Sequence, residues 1–369
     1  MRIRRRRRYT LALAIAACVL GMLAAIVALT LPFWADLEED LAAPIALLAA
    51  TLSATPLLHL SSHQTSSQSG PETHLFTAVA TTGCGRPAST RPGTTTVDRL
   101  SVGALTRDYR VHVPSTYQPK LKTALVLSFH GHGSTAVLQE QRTGLSHLAD
   151  LRHFIAVYPQ GAIGPDGQTG WNTGRRKDPS VDDVSFVDHL ITALQRSLCI
   201  DPQRIYATGY SNGGGMTAIL ACEFSSRIAA FAPVAGDYYP QPGGCHPNHP
   251  VSLLEIHGTA DAVNPYGGSA ALRYPAVGAW LAAWAQRDGC AQEPIVTTVG
   301  QGVTMEGWLG CKGNSAILHY RLSGVGHVWP EIASNATSGS NTASGFDAST
   351  AIWTFFSQRT LSSEQAPAA

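Results

Sequence analysis

Three residues in this chain have side chains and surroundings suited to acyl transfer. Ser211 sits in Gly209-Tyr210-Ser211-Asn212-Gly213, after the strand-like run Ile205–Thr208 and before Gly214–Ala221, a stretch that can be helical. A serine between glycines at a sharp strand-to-helix turn presents its hydroxyl at the end of a sheet, beside a helix N-terminus. The same five letters could be a glycine-rich turn with an incidental serine, and the flanking strand and helix favour the nucleophile. A serine hydroxyl is a weak nucleophile and needs a base, and the base needs an orienting acid. Asp261 follows the strand-like Leu253–Ile256 and is placed for the acid; its alternative role is to stabilise its own turn. Glu255 is the rival acid but lies within the strand. His327, between Gly324, Gly326 and Trp329, follows the strand-like Ala316–Tyr320 and is the candidate base. His319 lies inside that strand and reads as packing or edge polarity.

The stretch Phe129-His130-Gly131-His132-Gly133 follows another apolar run, Ala124–Phe129. A loop in this position can offer the backbone N–H of His132 to an oxyanion, with the N–H of Asn212 as second donor. His130 and His132 have no third ligand at a useful spacing, so no metal site is expected. Trp171 and Trp329 are candidates for a flat apolar slot around an acyl group, with core packing as their alternative.

These residues need a scaffold. Tyr109, Val111 and Val113 alternate with Arg110 and His112, as in a half-buried strand. The short apolar runs at 124–129, 154–158, 205–208, 229–234, 253–256 and 316–320 suit the buried centre of a mostly parallel sheet. Val187, Leu190, Ile191, Leu194 and Leu198 make one helical face, with Asp182 and Asp183 at its N-terminus. Further helices are expected at Ala276–Arg287 and Ala348–Ser357. The alternation predicts an α/β fold with three layers.

The 369 residues are 44% hydrophobic and only 14% charged, enough for a sizeable core. The net charge of +1 conceals six arginines in residues 1–33; the remainder carries 20 basic and 25 acidic side chains, which argues against a nucleic-acid partner. After the arginines, Leu11–Phe33 runs 23 residues without a charge, long enough to span a bilayer, and predicts export of the body. This stretch is longer than a typical signal-peptide core and has no clear cleavage site, so a cleaved signal and a retained anchor both stand. A second apolar stretch, Leu41–Leu60, is broken by Pro44 and Pro56. The organisation is then 1–33 as Arg-rich signal or anchor and 34–81 as an apolar and then Ser/Thr-rich linker. The catalytic domain is 82–361, and 362–369 is a tail expected to be disordered. Cys18 lies in the apolar span, and the other six cysteines suit up to three disulfides among 15 pairings. Asn335-Ala336-Thr337 is a glycosylation triplet.

Taken in order, these motifs resemble the secreted feruloyl esterases, α/β-hydrolases related to extracellular polyhydroxybutyrate depolymerases. The likeness is carried by Gly83–Gly85, Phe129–Gly133, Tyr158–Gly161, Trp171, Asp182–Phe186, Cys199–Ile205, Gly209–Gly215, Leu220–Cys222, Ala229–Val234, His257–Asp261, Gly289-Cys290 and Gly326–Pro330. It runs from about Cys84 to Leu361. The resemblance implies an α/β-hydrolase three-layer sandwich and a cofactor-free triad of Ser211, Asp261 and His327. It implies cleavage of ferulate or related hydroxycinnamate esters from plant cell-wall polysaccharide such as arabinoxylan, or of small hydroxycinnamoyl esters. The expected molecule is an extracellular monomer, either free or tethered by its N-terminus. Rival readings are a polyester depolymerase, an acetyl xylan esterase, and a non-catalytic anchored binding module on the same scaffold. Cys290–Cys311 is the preferred disulfide, since their segments flank one short strand–loop unit.

Overall fold

The computed structural model describes residues 79–174, 178–241, 243–331 and 345–361. The Arg-rich span 1–33, the linker as far as residue 78, the tail 362–369 and the Asn335 triplet lie outside the described residues.

Twelve strands and six α-helices follow one another along the described body. They are β1 (Thr94–Val102), β2 (Leu105–Val113), β3 (Thr123–Phe129), α1 (Ala136–Thr143), α2 (Leu145–Arg152) and β4 (Phe154–Pro159). Next come the short β5 (Ala162–Ile163) and β6 (Thr169–Gly170), then α3 (Asp183–Ser197), β7 (Ile200–Tyr210), α4 (Asn212–Glu223), β8 (Ala230–Val234) and β9 (Leu253–Gly258). The last are α5 (Val277–Arg287), β10 (Ile295–Gly300), β11 (Val303–Trp308), β12 (Ile317–Leu322) and α6 (Ala348–Phe356).

Ten strands form one sheet in the order β1-β2-β4-β3-β7-β8-β9-β12-β11-β10. From β4 to β12 all neighbours are parallel, and an antiparallel ribbon closes each edge. The central strands are apolar on both faces because both faces are covered. In β3, Leu125, Leu127 and Phe129 join the core under α3, α4 and α5. Ala124 and Val126 join the opposite core, under α1, α2 and α6. This is an α/β-hydrolase three-layer sandwich.

Local signals fix the helix starts. Asp182 accepts the N–H of Ser185 as the N-cap of α3, and Asp347 accepts that of Thr350 at α6. Asp183 has a different task. It is buried and paired with Arg107 at 2.6 Å, and its other oxygen accepts the N–H of Asn172. Disulfides join Cys84 to Cys199, Cys222 to Cys245 and Cys290 to Cys311. Among the described residues no helix is long and apolar enough to cross a membrane.

Candidate active site

The site is built at the C-terminal ends of β7, β9 and β12. Between β7 and α4 the chain turns so sharply that Ser211 takes φ 57°, a left-handed value rare for a residue with a side chain. Only glycine fits on either side. A Cβ on Gly209 would lie 2.2 Å from the carbonyl oxygen of Gly213, and one on Gly213 would lie 2.1 Å from that of Phe129. The turn leaves Ser211 Oγ 2.8 Å from His327 Nε2. His327 Nδ1 is 2.7 Å from Asp261 Oδ2. Since Nδ1 faces a carboxylate it carries the proton, which leaves the Nε2 lone pair for the serine hydroxyl.

Each member is held in turn. Asp261 Oδ1 accepts the N–H groups of Val263 and Asn264, both at 2.8 Å. Burial works to raise the Asp261 pKa, but hydrogen bonds from His257 and His327 outweigh it and hold the carboxyl far below its usual range. The hydroxyl of Tyr210 donates to the His327 carbonyl at 2.8 Å, and its ring lies beside the imidazole.

The loop after β3 runs against Ser211: a Cβ on Gly131 would lie 3.3 Å from Ser211 Cβ. Among the described residues no acceptor takes the backbone N–H of His132. Asn212 opens α4, so its N–H has no partner within the helix. Its side chain is fixed against the Trp171 backbone, accepting at 2.7 Å and donating at 3.2 Å, and also donates to Thr173 Oγ1. His130, to which the sequence assigns no role, fixes the loop. Its Nδ1 donates to the Gly131 carbonyl and its Nε2 accepts the Gly161 N–H. Burial lowers its pKa to about 4, so the ring is neutral and keeps that acceptor.

A cavity of about 870 Å³ opens over Ser211. His132, Arg142, Pro165, Asp166, Tyr210 and Val263 are among the residues that line it.

No protein-family model matches the chain. It is 31% identical over 228 residues to feruloyl esterase B of Piromyces equi, covering 59% of this chain and 42% of that protein. It is 31% identical over 242 residues to the putative esterase NocK of Nocardia uniformis subsp. tsuyamanensis, covering 62% of this chain and 64% of that protein. Against "Probable feruloyl esterase C" of Aspergillus terreus it is 30% identical over 203 residues, covering 53% of this chain and 67% of that protein. The chain belongs to the feruloyl esterase family. It spans less than two thirds of the length of the first two of these relatives.

Within this feruloyl esterase family member, the two tryptophans expected to form a substrate slot do not line the cavity. Trp171 is fully buried, edge-on to Phe129, and its indole N–H donates to the His130 carbonyl at 2.8 Å. Trp329 is 4% exposed and donates to Ser349 Oγ. Burying a large ring whose single N–H finds an acceptor is the ordinary use of a tryptophan, and a one-letter sequence does not distinguish it from a binding slot. Trp171→Phe is therefore expected to cost about 2 kcal/mol of stability, through the missing hydrogen bond and volume, with KM for small esters unchanged. A thermal melt paired with kinetics checks it; a KM change of tenfold would restore Trp171 to the binding surface.

Arg107 is a further residue that the sequence does not single out. Its guanidinium lies over the rings of Phe186 and Trp171 while it pairs with Asp183. The signal was the doubled Asp182-Asp183, of which only one residue is needed to cap a helix. Glu255 does not reach His327; its carboxylate is buried against His257, His319 and Tyr238.

Proposed function

We propose that this chain is a serine carboxylic-ester hydrolase that releases ferulate or related hydroxycinnamates from plant cell-wall polysaccharide. The observation that carries the reading is the continuous hydrogen-bonded line Ser211–His327–Asp261, whose first two members line a cavity of about 870 Å³. In this reading Ser211 Oγ attacks the ester carbonyl while His327 Nε2 takes its proton, and Asp261 stabilises the imidazolium. The N–H groups of His132 and Asn212 receive the oxyanion. His327 gives the proton to the departing sugar oxygen as its bond to the acyl carbon breaks, so that it leaves as a hydroxyl, and then activates the water that frees the acid. No cofactor is required.

With both tryptophans in the core, the apolar surfaces that face the cavity are Pro165, Val263 and the Tyr210 ring, and these are the supports we assign to the aromatic acyl group. Arg142, Asp166 and Asp237 on the same wall suit a sugar leaving group. The three disulfides fit maturation in an oxidising compartment, and the Arg-rich apolar N-terminus supports export of the body, with a tether as its finer form.

The test is a set of esters: methyl ferulate, methyl p-coumarate, methyl caffeate, acetylated xylan and hydroxybutyrate oligomers. Hydroxycinnamates are expected to exceed the aliphatic esters in kcat/KM by about tenfold or more, the scale on which one pocket contact discriminates. A preference for acetylated xylan or for the oligomers would replace the feruloyl assignment with the corresponding esterase.

A further inference from the structure

Behind the Ser211–His327–Asp261 line lies a second set of buried titratable groups that the mechanism above does not use. His257, in β9, is 1% exposed at its side chain. Its Nδ1 is 2.9 Å from Glu255 Oε1, and its Nε2 is 2.9 Å from the carbonyl oxygen of Asn264 and 3.3 Å from Asp261 Oδ2. All three neighbours are acceptors. A neutral imidazole has one N–H and one lone pair, so a nitrogen without a proton would here face oxygen lone pairs at close range. Both nitrogens of His257 therefore carry protons.

Glu255 completes the set. Its Oε1 also accepts from the hydroxyl of Tyr238 at 2.7 Å, and its Oε2 is 2.7 Å from His319 Nδ1. The Nε2 of His319 is in turn 2.9 Å from the hydroxyl of Tyr266. A carboxylate with two donors on one oxygen and an imidazole nitrogen beside the other is held ionised and supplies the counter-charge that a buried imidazolium needs. Burial works against charge on His257, but the Glu255 charge and the hydrogen bonds to Asp261 and Glu255 raise its pKa to about 10.

We infer that His257 is a permanent buried imidazolium, anchored by Glu255, that positions Asp261 against His327. Asp261 Oδ2 is hydrogen-bonded to His327 Nδ1 and lies 3.3 Å from His257 Nε2, whose N–H goes to the Asn264 carbonyl, while two backbone N–H groups hold Oδ1. The carboxylate keeps its place when His327 moves in the reaction. Around His257 the other titratable groups are Tyr238, Tyr266 and, through Glu255, His319. Around His327 they are Tyr210 and, on the cavity wall, Arg142, Asp237, His132 and Asp166. These stay in place when His257 alone is changed.

The inference rests on Ser211, His327 and Asp261 being the catalytic line. His257→Gln keeps a donor toward Asp261 and removes the charge. The kcat for methyl ferulate is expected to fall by about threefold to tenfold with KM unchanged, since Asp261 is less firmly placed against His327 while Oδ1 is still held. An unchanged kcat and KM in a variant with a lowered thermal midpoint would reduce His257 to a structural role and overturn the inference. The wild-type protein gives a second readout that needs neither turnover nor a folded variant. In nitrogen NMR of its histidine rings, His257, located by its contacts to the Tyr238 and Tyr266 rings, should be doubly protonated and non-titrating from about pH 5.5 to 8.5. A neutral His257 ring at pH 7 would overturn the inference whatever the esterase assays show, and retained activity in Ser211→Ala would remove only the catalytic reading.

Discussion

Ser211→Ala lowers kcat/KM for methyl ferulate by about 10⁵-fold or more, because nucleophile, base and acid act as one unit and the remaining catalysis comes from the oxyanion donors and binding alone. The thermal midpoint is expected to move by no more than that of an ordinary surface substitution. Alanine tolerates φ 57° no better and no worse than serine, so the strain of the turn is unchanged, and the variant forgoes only the 2.8 Å hydrogen bond to His327. Purified variant, thermal melt and a progress curve long enough to see one part in 10⁵ decide the matter. Activity within tenfold of wild type, in a folded variant, would remove Ser211 as nucleophile.

Gly213→Ala is expected to lose about 10²- to 10³-fold in kcat without touching any member of the triad. The added methyl would lie 2.1 Å from the carbonyl oxygen of Phe129, 2.5 Å from its carbon and 2.7 Å from the His130 carbonyl oxygen. These are backbone atoms at the end of a central strand and cannot rotate away, so the strand end or α4 must withdraw by about an ångström. His132 lies two residues beyond His130 and Asn212 lies one before Gly213, so the withdrawal separates the two N–H groups assigned to the oxyanion. A stability loss of about 2 kcal/mol accompanies it. Gly278→Ala, where the methyl meets nothing within 4 Å, is the control and should be neutral. Equal kcat in Gly213→Ala and wild type would show that the oxyanion site does not depend on this close approach.

The parts of this molecule legible in sequence are those that bury continuous apolar runs. β3, β4, β8 and β9 are visible because strands covered on both faces admit little but apolar side chains. Ser211, Asp261 and His327 are visible as candidates because each lies in a loop or turn just past a strand that could be read. The edges are not. β10 is exposed along its whole length, and β1 is exposed or half-buried throughout, so neither carries a burial pattern to read. α1 has only Ala136, Gln139 and Thr143 buried, too polar a face to predict. β7 begins at Ile200 rather than Ile205 because Asp201-Pro202-Gln203 looks like a turn and only tertiary pairing makes it strand. Long-range partners are the least legible. Nothing in the order of residues says that Arg107 meets Asp183 or that the Trp171 indole seeks the His130 carbonyl. The same holds for Glu255, which sequence offers as a rival acid. It is two residues from His257 on the same face of β9, and there it serves His257 and His319 rather than the base.

The Cys84–Cys199 bridge has a topological result. It ties the start of the described body to the residue just before β7, across 115 positions that contain β1 to β6 and α1 to α3. His132 lies inside this covalent ring, and Ser211, Asp261 and His327 all lie beyond it. A protease that cuts one peptide bond anywhere in the ring leaves a single molecule, the segment with His132 still joined through sulfur to the segment with Ser211, Asp261 and His327. The body is thus protected from falling apart over nearly the whole N-terminal half of its sheet, so a nicked molecule can keep both sides of the candidate site in register.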